Sequence, residues 1–498
     1  MTLFFIFAYL NNSNMSLLRA FSKEQIINKI NFENPWWRNH KIDDYYSSMK
    51  KRLYFDLFSP LVYEKKIKRA VVLMGPRRVG KTVMLFHLVQ DLIDNKIPSK
   101  NICYLSIENP IYNSLSLEEM LLHFLEHNNL NFSNELYVIF DEIQYLKNWE
   151  VHLKTLVDSY HKIKFIVSGS AAAALKLKSI ESGAGRFTDF MLPPLTFYEY
   201  IDLKNLSHLI SLKIKEWKGV SGSYYVTDNI DVFNNHFIDY INFGGYPEVS
   251  LSKEIQSDPG RYIRNDIVDK VLLRDLPSLY GIKDVQELNS LFTTIAYNTG
   301  NEFTYEELSK NSGIVKNTLK KYIEYLEAAF LIRVINKIDQ NAKKFKRATS
   351  FKIYLTNPSL RSALFSPLRK DDDFMGNLVE TAIFSQWGHN TDFTPYYARW
   401  KNGEVDIVSL SKEKQKPLWA VEIKWSNRFV KSVQKLSNLK SFCEKNNLDR
   451  TLVTTKDIEK IKELDNLTYD FTPSSIYCYT VGRNAIERRL NKTMGISH

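Results

Sequence analysis

The segment VVLMGPRRVGKTVMLFHLV, residues 71–89, decides the fold that we expect for this chain. An apolar run ends at Gly75, and the spacing G-x-x-x-x-G-K-[ST] is completed just before an amphipathic helical pattern begins. Such a loop surrounds phosphate oxygens with backbone N–H groups, and the helix N-terminus adds partial positive charge. The pattern predicts that the phosphates of ATP contact Gly75, Pro76, Arg77, Arg78, Val79, Gly80, Lys81 and Thr82.

The expected chemistry divides between this loop and a later strand end. Lys81 would reach the β- and γ-phosphates, and the Thr82 hydroxyl would bind Mg²⁺. Downstream, the apolar run ELYVIF (135–140) ends in Asp141 and Glu142. We predict that Asp141 holds the Mg²⁺ shell and that Glu142 orients and polarises the attacking water. Arg77 and Arg78 have a simpler alternative, which is exposure to solvent.

Alternating strands and helices predict an α/β domain around the loop. The apolar runs are separated by helical stretches, which is typical of a parallel sheet covered by helices. The five expected strands cover residues 69–74, 101–107, 135–140, 164–169 and 187–192.

Two further polar positions follow from this sheet. Ser168 and Ser170 end the fourth strand, where a hydroxyl would touch the γ-phosphate or the attacking water; a helix N-cap is the alternative role of Ser170. Arg186 precedes the fifth strand and is a candidate arginine finger or γ-phosphate sensor, with a solvated surface arginine as the alternative.

Several ordered motifs resemble a known family. GPRRVGKT (75–82), IFDEIQYLKNWE (139–150), IVSGSAAAAL (166–175), LPPLTFYEYI (192–201) and GGYPEV (244–249) follow the order found in AAA+ ATPases of bacteria and archaea that carry a C-terminal domain of unknown function. The resemblance covers nearly the whole chain after residue 50. It implies ATP binding and hydrolysis, a helical lid, a winged-helix segment and a C-terminal restriction-endonuclease-like α/β domain.

These expectations divide the chain into five parts. They are an N-terminal extension (1–50), the AAA+ P-loop domain (51–210), a mostly helical lid (211–281), a winged-helix domain (282–352) and a nuclease-like domain (353–498).

Residues 303–335 have the pattern of a helix-turn-helix. Gly313 makes the turn, and the second helix would expose Lys316, Asn317, Lys320 and Lys321 at its start, where recognition helices meet DNA. A basic wing follows, because residues 333–352 contain seven Lys or Arg and one acid. The alternative is a lid extension whose lysines are only solvated.

A second candidate site lies near the end of the chain, in AVEIKWSN (420–427). Glu422 and Lys424 interrupt an apolar strand two positions apart, so both point to one face. Asp406 interrupts an earlier strand, and Glu380 follows Leu378 and Val379 on a helix.

This order is similar to the core of PD-(D/E)xK nucleases, although Val405 stands where the family name has Pro. The resemblance implies Mg²⁺ held by Glu380, Asp406 and Glu422, with Asp406, Glu422 and Lys424 as catalytic groups. The alternative is an inactive relic in which Glu422 and Lys424 form a buried ion pair.

Composition sets the remaining expectations. The net charge of +11 favours an anionic partner such as DNA or RNA. Three cysteines without metal or disulfide spacing favour a reducing, cytoplasmic setting. The apolar N-terminal run of residues 1–12 is too short to span a bilayer, so we expect no membrane contact.

We expect an ATP-hydrolysing protein that acts on nucleic acid, with an ATP-gated, metal-dependent nuclease-like tail. The alternatives are an ATP-dependent switch or scaffold with an inactive tail, and an ATPase that acts on protein partners. A homo-oligomer is a further expectation, since AAA+ proteins often form rings.

Overall fold

The computed structural model describes residues 21–169, 185–217, 220–344, 350–390 and 393–493. The first half of the chain builds a five-stranded parallel sheet in the order β2-β3-β4-β1-β5. Its strands are β1 (Ala70–Met74), β2 (Ile102–Ser106), β3 (Leu136–Asp141), β4 (Ile163–Gly169) and β5 (Phe187–Met191). All residues of β1 and β3 are buried, as expected for parallel strands covered on both faces. The predicted parallel sheet is confirmed, and the five strands begin and end within two residues of the expected positions.

Helices connect and flank these strands. They are α1 (Lys23–Glu33), α2 (Trp36–Asn39), α3 (Asp44–Ser47), α4 (Phe55–Tyr63), α5 (Lys81–Asp94), α6 (Leu117–His127), α7 (Trp149–Ser159) and α8 (Phe197–Leu203). Ser116 and Thr196 cap α6 and α8 in capping boxes, which satisfy backbone N–H groups at the helix starts.

The N-terminal segment closes the open edge of the sheet at β2. The Asn34 side chain donates to the Tyr104 carbonyl (2.8 Å) and accepts from the Tyr104 N–H (2.7 Å), as a neighbouring strand would. The indole groups of Trp36 and Trp37 both donate to the Ile102 carbonyl (3.1 and 2.8 Å). Side chains thus satisfy an edge that would otherwise expose unpaired backbone groups.

The predicted lid begins with strands, which the sequence analysis missed. β6 (Ser211–Trp217) and β7 (Val220–Val226) form an antiparallel pair, although we expected mostly helix there. The reason is visible in the alternation of apolar Leu212 and Ile214 with polar residues, which has the period of a strand. The rest of the lid is helical, with α9 (Ile230–Phe243), α10 (Pro247–Leu251), α11 (Lys253–Ser257), two π-helical segments (Gly260–Asp269 and Val271–Asp275) and α12 (Leu276–Tyr280).

The second half of the chain builds a mixed sheet of nine strands in the order β15-β16-β14-β13-β12-β11-β9-β10-β8. These strands are β8 (Glu302–Thr304), β9 (Ile332–Ile338), β10 (Ser350–Leu355), β11 (Tyr396–Trp400), β12 (Gly403–Leu410), β13 (Pro417–Glu422), β14 (Arg450–Thr455), β15 (Lys460–Leu464) and β16 (Leu467–Pro473). Its helices are α13 (Val285–Tyr297), α14 (Tyr305–Ser312), α15 (Lys316–Ala328), α16 (Ser359–Leu364), α17 (Met375–Trp387), α18 (Arg428–Lys431), α19 (Ser437–Lys445) and α20 (Ser474–Thr493).

One continuous sheet therefore crosses the predicted boundary between residues 352 and 353. That boundary falls inside β10, and β9 pairs with β11 in parallel. The cause is that β11, from the last part of the chain, adds to the edge of the small antiparallel sheet made by β8, β10 and β9.

The end of the chain packs back on the first domain. On α20, Glu487 accepts a hydrogen bond from the Tyr198 hydroxyl of α8 (3.0 Å). His389, just after α17, shares a hydrogen bond with the Tyr54 hydroxyl (2.8 Å), and burial holds the pKa of this histidine well below its usual value. The two halves are thus joined by one buried and one partly buried hydrogen bond.

Within the part of the chain that the structure describes, no helix has the length and apolar character needed to cross a bilayer. The apolar run of residues 1–12 lies outside the described residues.

Candidate active site

The loop between β1 and α5 needs glycine at both ends. A Cβ on Gly75 would lie 2.2 Å from the Leu192 carbonyl oxygen, so the segment after β5 leaves no space for a side chain. Gly80 has φ of +94°, a left-handed conformation that side chains disfavour. These two constraints fix the path of the loop around the start of α5.

Lys81 brings a buried ammonium group into this loop. Its Nζ donates to the carbonyl oxygens of Gly75 (3.1 Å) and Pro76 (2.9 Å). Within the described residues its hydrogen bonds go to these two carbonyls, and burial lowers its pKa against the attraction of Glu142 and Asp141. A buried cation held by carbonyl oxygens rather than by a carboxylate suits an anionic ligand, because burying a charge is costly.

Asp141 lies beside the loop, at the end of β3. Its carboxylate accepts hydrogen bonds from Thr82 Oγ1 (2.9 Å), the Tyr104 hydroxyl (2.7 Å) and the Ser168 hydroxyl. Burial raises the pKa of Asp141, and the neighbouring Glu142 raises it further. The structure thus brings together Thr82 and Asp141, the two residues that the sequence predicts as Mg²⁺ ligands.

Glu142 has an unusual backbone conformation, with φ of 55°. Its N–H donates to Ser168 Oγ (3.2 Å), and its carboxylate accepts from the Gln144 side chain. A non-glycine residue in the left-handed region stores strain, which is frequent at functional sites. Ser168 therefore contacts both Asp141 and Glu142, whereas Ser170 lies outside the described residues.

Arg52 supports the loop from outside, and sequence reasoning missed it. Its guanidinium makes a bidentate ion pair with Glu199 (3.0 and 2.7 Å). It also donates to the carbonyls of Val79 (3.0 Å) and Pro193 (2.9 Å). The side chains of Arg52 and Glu199 are only 6% and 0% exposed. No local pattern identifies such a pair, because its members lie 147 positions apart.

Arg77 and Arg78 are bonded to the lid rather than simply exposed. Arg77 makes a bidentate ion pair with Asp275 (2.8 and 2.9 Å). Arg78 contacts Glu248 (2.6 Å) and Asp266 (2.5 Å). The phosphate loop is therefore connected by charge to both the α10 and the π-helical parts of the lid.

Arg186 lies at the far end of the sheet. Its carbonyl pairs with the N–H of Ala70, the first residue of β1, whereas the loop follows the last. Its guanidinium is half-exposed and pairs with Asp158 (2.8 Å). The structure does not bring Arg186 to the site of its own chain. In a parallel sheet the starts of the strands lie at one end and the ends of the strands at the other, and the phosphate loop lies at the end opposite to Arg186.

A groove of about 940 Å³ opens beside Thr82, Asp141 and Glu142. Its other wall comes from the N-terminal segment and includes Lys29 and Glu33. The N-terminal extension thus forms part of the candidate site.

The second candidate cluster lies on the nine-stranded sheet and α17. Lys424 Nζ contacts Glu422 (2.7 Å) and Asp406 (3.5 Å), and the Ile423 N–H donates to Asp406 (2.7 Å). Burial raises the pKa of Glu422 to about 8. Glu422 Oε2 is buried and has no hydrogen-bond partner among the residues that the structure describes.

Three residues of this cluster were not anticipated. Lys352 contacts Glu404 (2.6 Å) and Glu380 (3.1 Å), and Tyr354 donates to Glu380 (2.5 Å). Lys352 and Tyr354 lie on β10, in a segment that the sequence assigned to a winged helix and its boundary. Their role depends on the continuous sheet, which the sequence analysis did not predict.

Removal of the Arg52 charge should destabilise the fold, because Glu199 loses the guanidinium that pairs with it. Arg52→Met leaves the fully buried Glu199 carboxylate unpaired, and we expect a loss of about 3–5 kcal/mol of stability. Arg52→Met/Glu199→Gln should recover part of the loss in the thermal unfolding midpoint. Lys51→Met, at the exposed neighbouring position, is the matched control. A double variant that unfolds at a lower temperature than Arg52→Met would contradict the pairing.

Two separate ranges of the chain match known families. Residues 67–201 match a family described as AAA domain, and residues 234–372 match a domain of unknown function, DUF8612. The first match contains the phosphate loop, Asp141 and the five-stranded sheet, so this part of the chain is similar to AAA domains. The second match ends before Glu380, and therefore leaves the nuclease-like assignment of the tail as a prediction.

The chain is also similar to uncharacterized proteins from an archaeon and a bacterium. Uncharacterized protein MJ1544 of Methanocaldococcus jannaschii is 24% identical over 403 residues, which cover 78% of this chain and 83% of the relative. An uncharacterized protein of Haemophilus influenzae is 24% identical over 350 residues, which cover 68% of this chain and 78% of the relative.

Two solved structures resemble parts of the chain more distantly. The Walker-type ATPase PABY2304 of Pyrococcus abyssi is 14% identical with a TM-score of 0.37, over 62% of this chain and 94% of that one. Cdc6p from Pyrobaculum aerophilum is 14% identical with a TM-score of 0.28, over 68% and 98%.

Proposed function

We propose that this chain hydrolyses ATP at the site between β1 and β3 and uses the reaction to change the position of its lid. The observation that carries the proposal is the buried Lys81 ammonium, whose hydrogen bonds within the described residues go to the Gly75 and Pro76 carbonyls, while Glu142 and Asp141 act on it through charge. An anionic ligand would supply the missing charge, and the triphosphate of ATP fits a cradle built from backbone groups and closed by Leu192.

The residues of the site divide the work of phosphoryl transfer. Lys81 offsets negative charge on the phosphates, and Thr82 with Asp141 would hold the divalent ion. That ion, when bound, neutralises charge that develops on the phosphate oxygens. Glu142 orients the attacking water and accepts its proton. Its position is fixed by the hydrogen bond that its own N–H donates to Ser168 Oγ and by the one that its carboxylate accepts from Gln144.

Ion pairs between the phosphate loop and the lid make the position of the lid sensitive to nucleotide binding. Arg77 and Arg78 are adjacent to the phosphate cradle, yet their partners Asp275, Glu248 and Asp266 are acidic groups of the lid. Triphosphate would compete with these carboxylates for the two arginines. Nucleotide binding should therefore change the strength of the loop–lid contact.

We propose nucleic acid as the partner of the α14–α15 unit. Helix, strand, two helices and two strands follow in the order α13, β8, α14, α15, β9, β10, which is the order of a winged helix. At the start of α15, Lys320 and Lys321 are exposed. Lys316 is exposed too, although it pairs with Glu306. Part of the basic wing, residues 345–349, lies outside the described residues.

The tail has the order of elements expected for a restriction-endonuclease-like domain, with Glu380 on α17, Asp406 on β12 and Glu422 at the end of β13. We favour a binding role for it over a metal-dependent nuclease. The observation that favours this role is the contact of Lys352 with Glu380 and Glu404.

ATP turnover tests the first proposal. Lys81→Ala should weaken ATP binding by about tenfold or more, because it removes a charged hydrogen-bonding group. Glu142→Gln should keep ATP bound and lower phosphate release by about 10²–10⁴-fold. Glu108→Gln, which makes the same chemical change at an exposed position of the groove, should turn over normally. Wild-type phosphate release by both Lys81→Ala and Glu142→Gln would overturn the assignment.

Hydrogen exchange tests the coupling to the lid. ATP should change the exchange rate of residues 260–280 in the wild-type chain, and Arg77→Met/Arg78→Met should abolish this change because the ionic link is lost. Arg261→Met removes an exposed arginine from the same lid without touching the loop and serves as control. An ATP-linked change that persists in the double variant would exclude these two arginines as the link.

Salt dependence tests nucleic-acid binding by α15. Lys320→Gln/Lys321→Gln should weaken binding to duplex DNA and reduce the slope of log K against log salt by about 1.5–2, since two phosphate contacts are lost. Lys460→Gln/Lys462→Gln on the outer strand β15 removes the same charge elsewhere. Equal effects of the two double variants would indicate a general charge effect rather than a site on α15.

A further inference from the structure

Lys352 lies among the carboxylates that a nuclease of this fold would use for metal binding. Its Nζ is 2.6 Å from Glu404, 3.1 Å from Glu380 and 3.9 Å from Asp406. The side chain is only 6% exposed. Two of these three acids, Glu380 and Asp406, are the predicted metal ligands, so the ammonium is bound by the same groups that would bind Mg²⁺.

The position of Lys352 is set by the sheet. Lys352 is on β10, and it pairs in register with Glu302 of β8 and Ile335 of β9. Tyr354, two residues along the same strand, donates to the same oxygen of Glu380 that Lys352 contacts. A strand residue paired on both sides, whose side chain is also buried, is held in place.

Two ammonium groups offset part of the charge of the four carboxylates in this cluster without a divalent ion. Lys352 contacts Glu380, Glu404 and Asp406, while Lys424 contacts Glu422 and Asp406. Repulsion between carboxylates is the force that usually draws a metal into such a site, and here two ammonium groups reduce it.

The arrangement does not fit a divalent metal. Mg²⁺ and Ca²⁺ need several oxygen ligands at about 2.0–2.6 Å around one point. Within the described residues, no group of three or more His, Cys, Asp or Glu side chains is arranged to hold a metal ion. The reason at this cluster is steric and electrostatic, because the Lys352 ammonium stands between Glu380 and Glu404.

We propose that Lys352 is the resident cation of this cluster and replaces the divalent metal, so that the tail works without metal and does not cleave nucleic acid. The proposal is independent of ATP hydrolysis at the first site. It assigns Lys352 a role that keeps a nuclease-like arrangement of acids folded while excluding the ion that would make it catalytic.

Mn²⁺ binding is the test, with the whole chain and an Asp141→Asn background that removes the acidic ligand of the first site. The chain with Lys352 should bind no Mn²⁺ at the tail in titration calorimetry. Lys352→Met removes the ammonium but keeps the aliphatic stem, and it should bind Mn²⁺ measurably in the same titration. A further Asp406→Asn change should abolish the gained binding.

The control is Lys337→Met, which removes a lysine that pairs with Glu302 outside the cluster (3.2 Å). It should gain no Mn²⁺ binding. Circular dichroism establishes that each variant is folded, and Lys352→Gln is the second variant if Lys352→Met does not fold. Mn²⁺ binding by the chain with Lys352 that Asp406→Asn abolishes would overturn the proposal. A folded Lys352 variant that gains no Mn²⁺ binding would overturn it as well.

Discussion

The buried ion pair between Arg52 and Glu199 is the contact on which the first site depends. One guanidinium joins the segment before α4, the Val79 carbonyl of the phosphate loop, the Pro193 carbonyl after β5 and the start of α8. Glu199 also belongs to the capping box of α8, so the same carboxylate fixes a helix start and an arginine. A loop that must hold a flexible polyanion gains its rigidity from these outside contacts, because its glycines supply none.

Two buried lysines show that the groups around a buried charge, rather than the residue type, determine whether it can bind a further ligand. Within the described residues, Lys81 donates hydrogen bonds to two carbonyls and to no carboxylate, which leaves its charge open to a phosphate. Lys352 lies within 4 Å of three carboxylates, so its charge is already balanced. The first arrangement attracts an anionic ligand, whereas the second removes the need for a cationic one.

The sequence was informative wherever local spacing determines the outcome. The β1–α5 motif, the apolar runs and the Asp141–Glu142 strand end predicted the five-stranded sheet and its candidate site, because strand, loop and helix are consecutive there. Contacts between distant segments were not predictable. The Arg52–Glu199 pair, the loop–lid contacts and the addition of β11 to β9 each depend on how separate elements pack. The spacing of apolar and polar residues along the sequence does not predict such packing. The β6–β7 hairpin was a different error, since its alternation was present and was outweighed by the helical expectation for a lid.

The way in which the two halves interlock limits how ATP can act on the tail. The Tyr54–His389 and Tyr198–Glu487 contacts join the first domain to α17 and α20, and two of these residues, Tyr54 and His389, are buried. A rigid rotation of the whole nine-stranded sheet would break these contacts and expose His389, whose burial keeps it neutral. The ion pairs of Arg78 with the lid, by contrast, are partly exposed and can exchange partners at low cost, whereas the Arg77–Asp275 pair is mostly buried. A change that starts at Arg77 and Arg78 is therefore expected to move the π-helical lid against a fixed pair of sheets, and to reach the α14–α15 unit through α12 and α13.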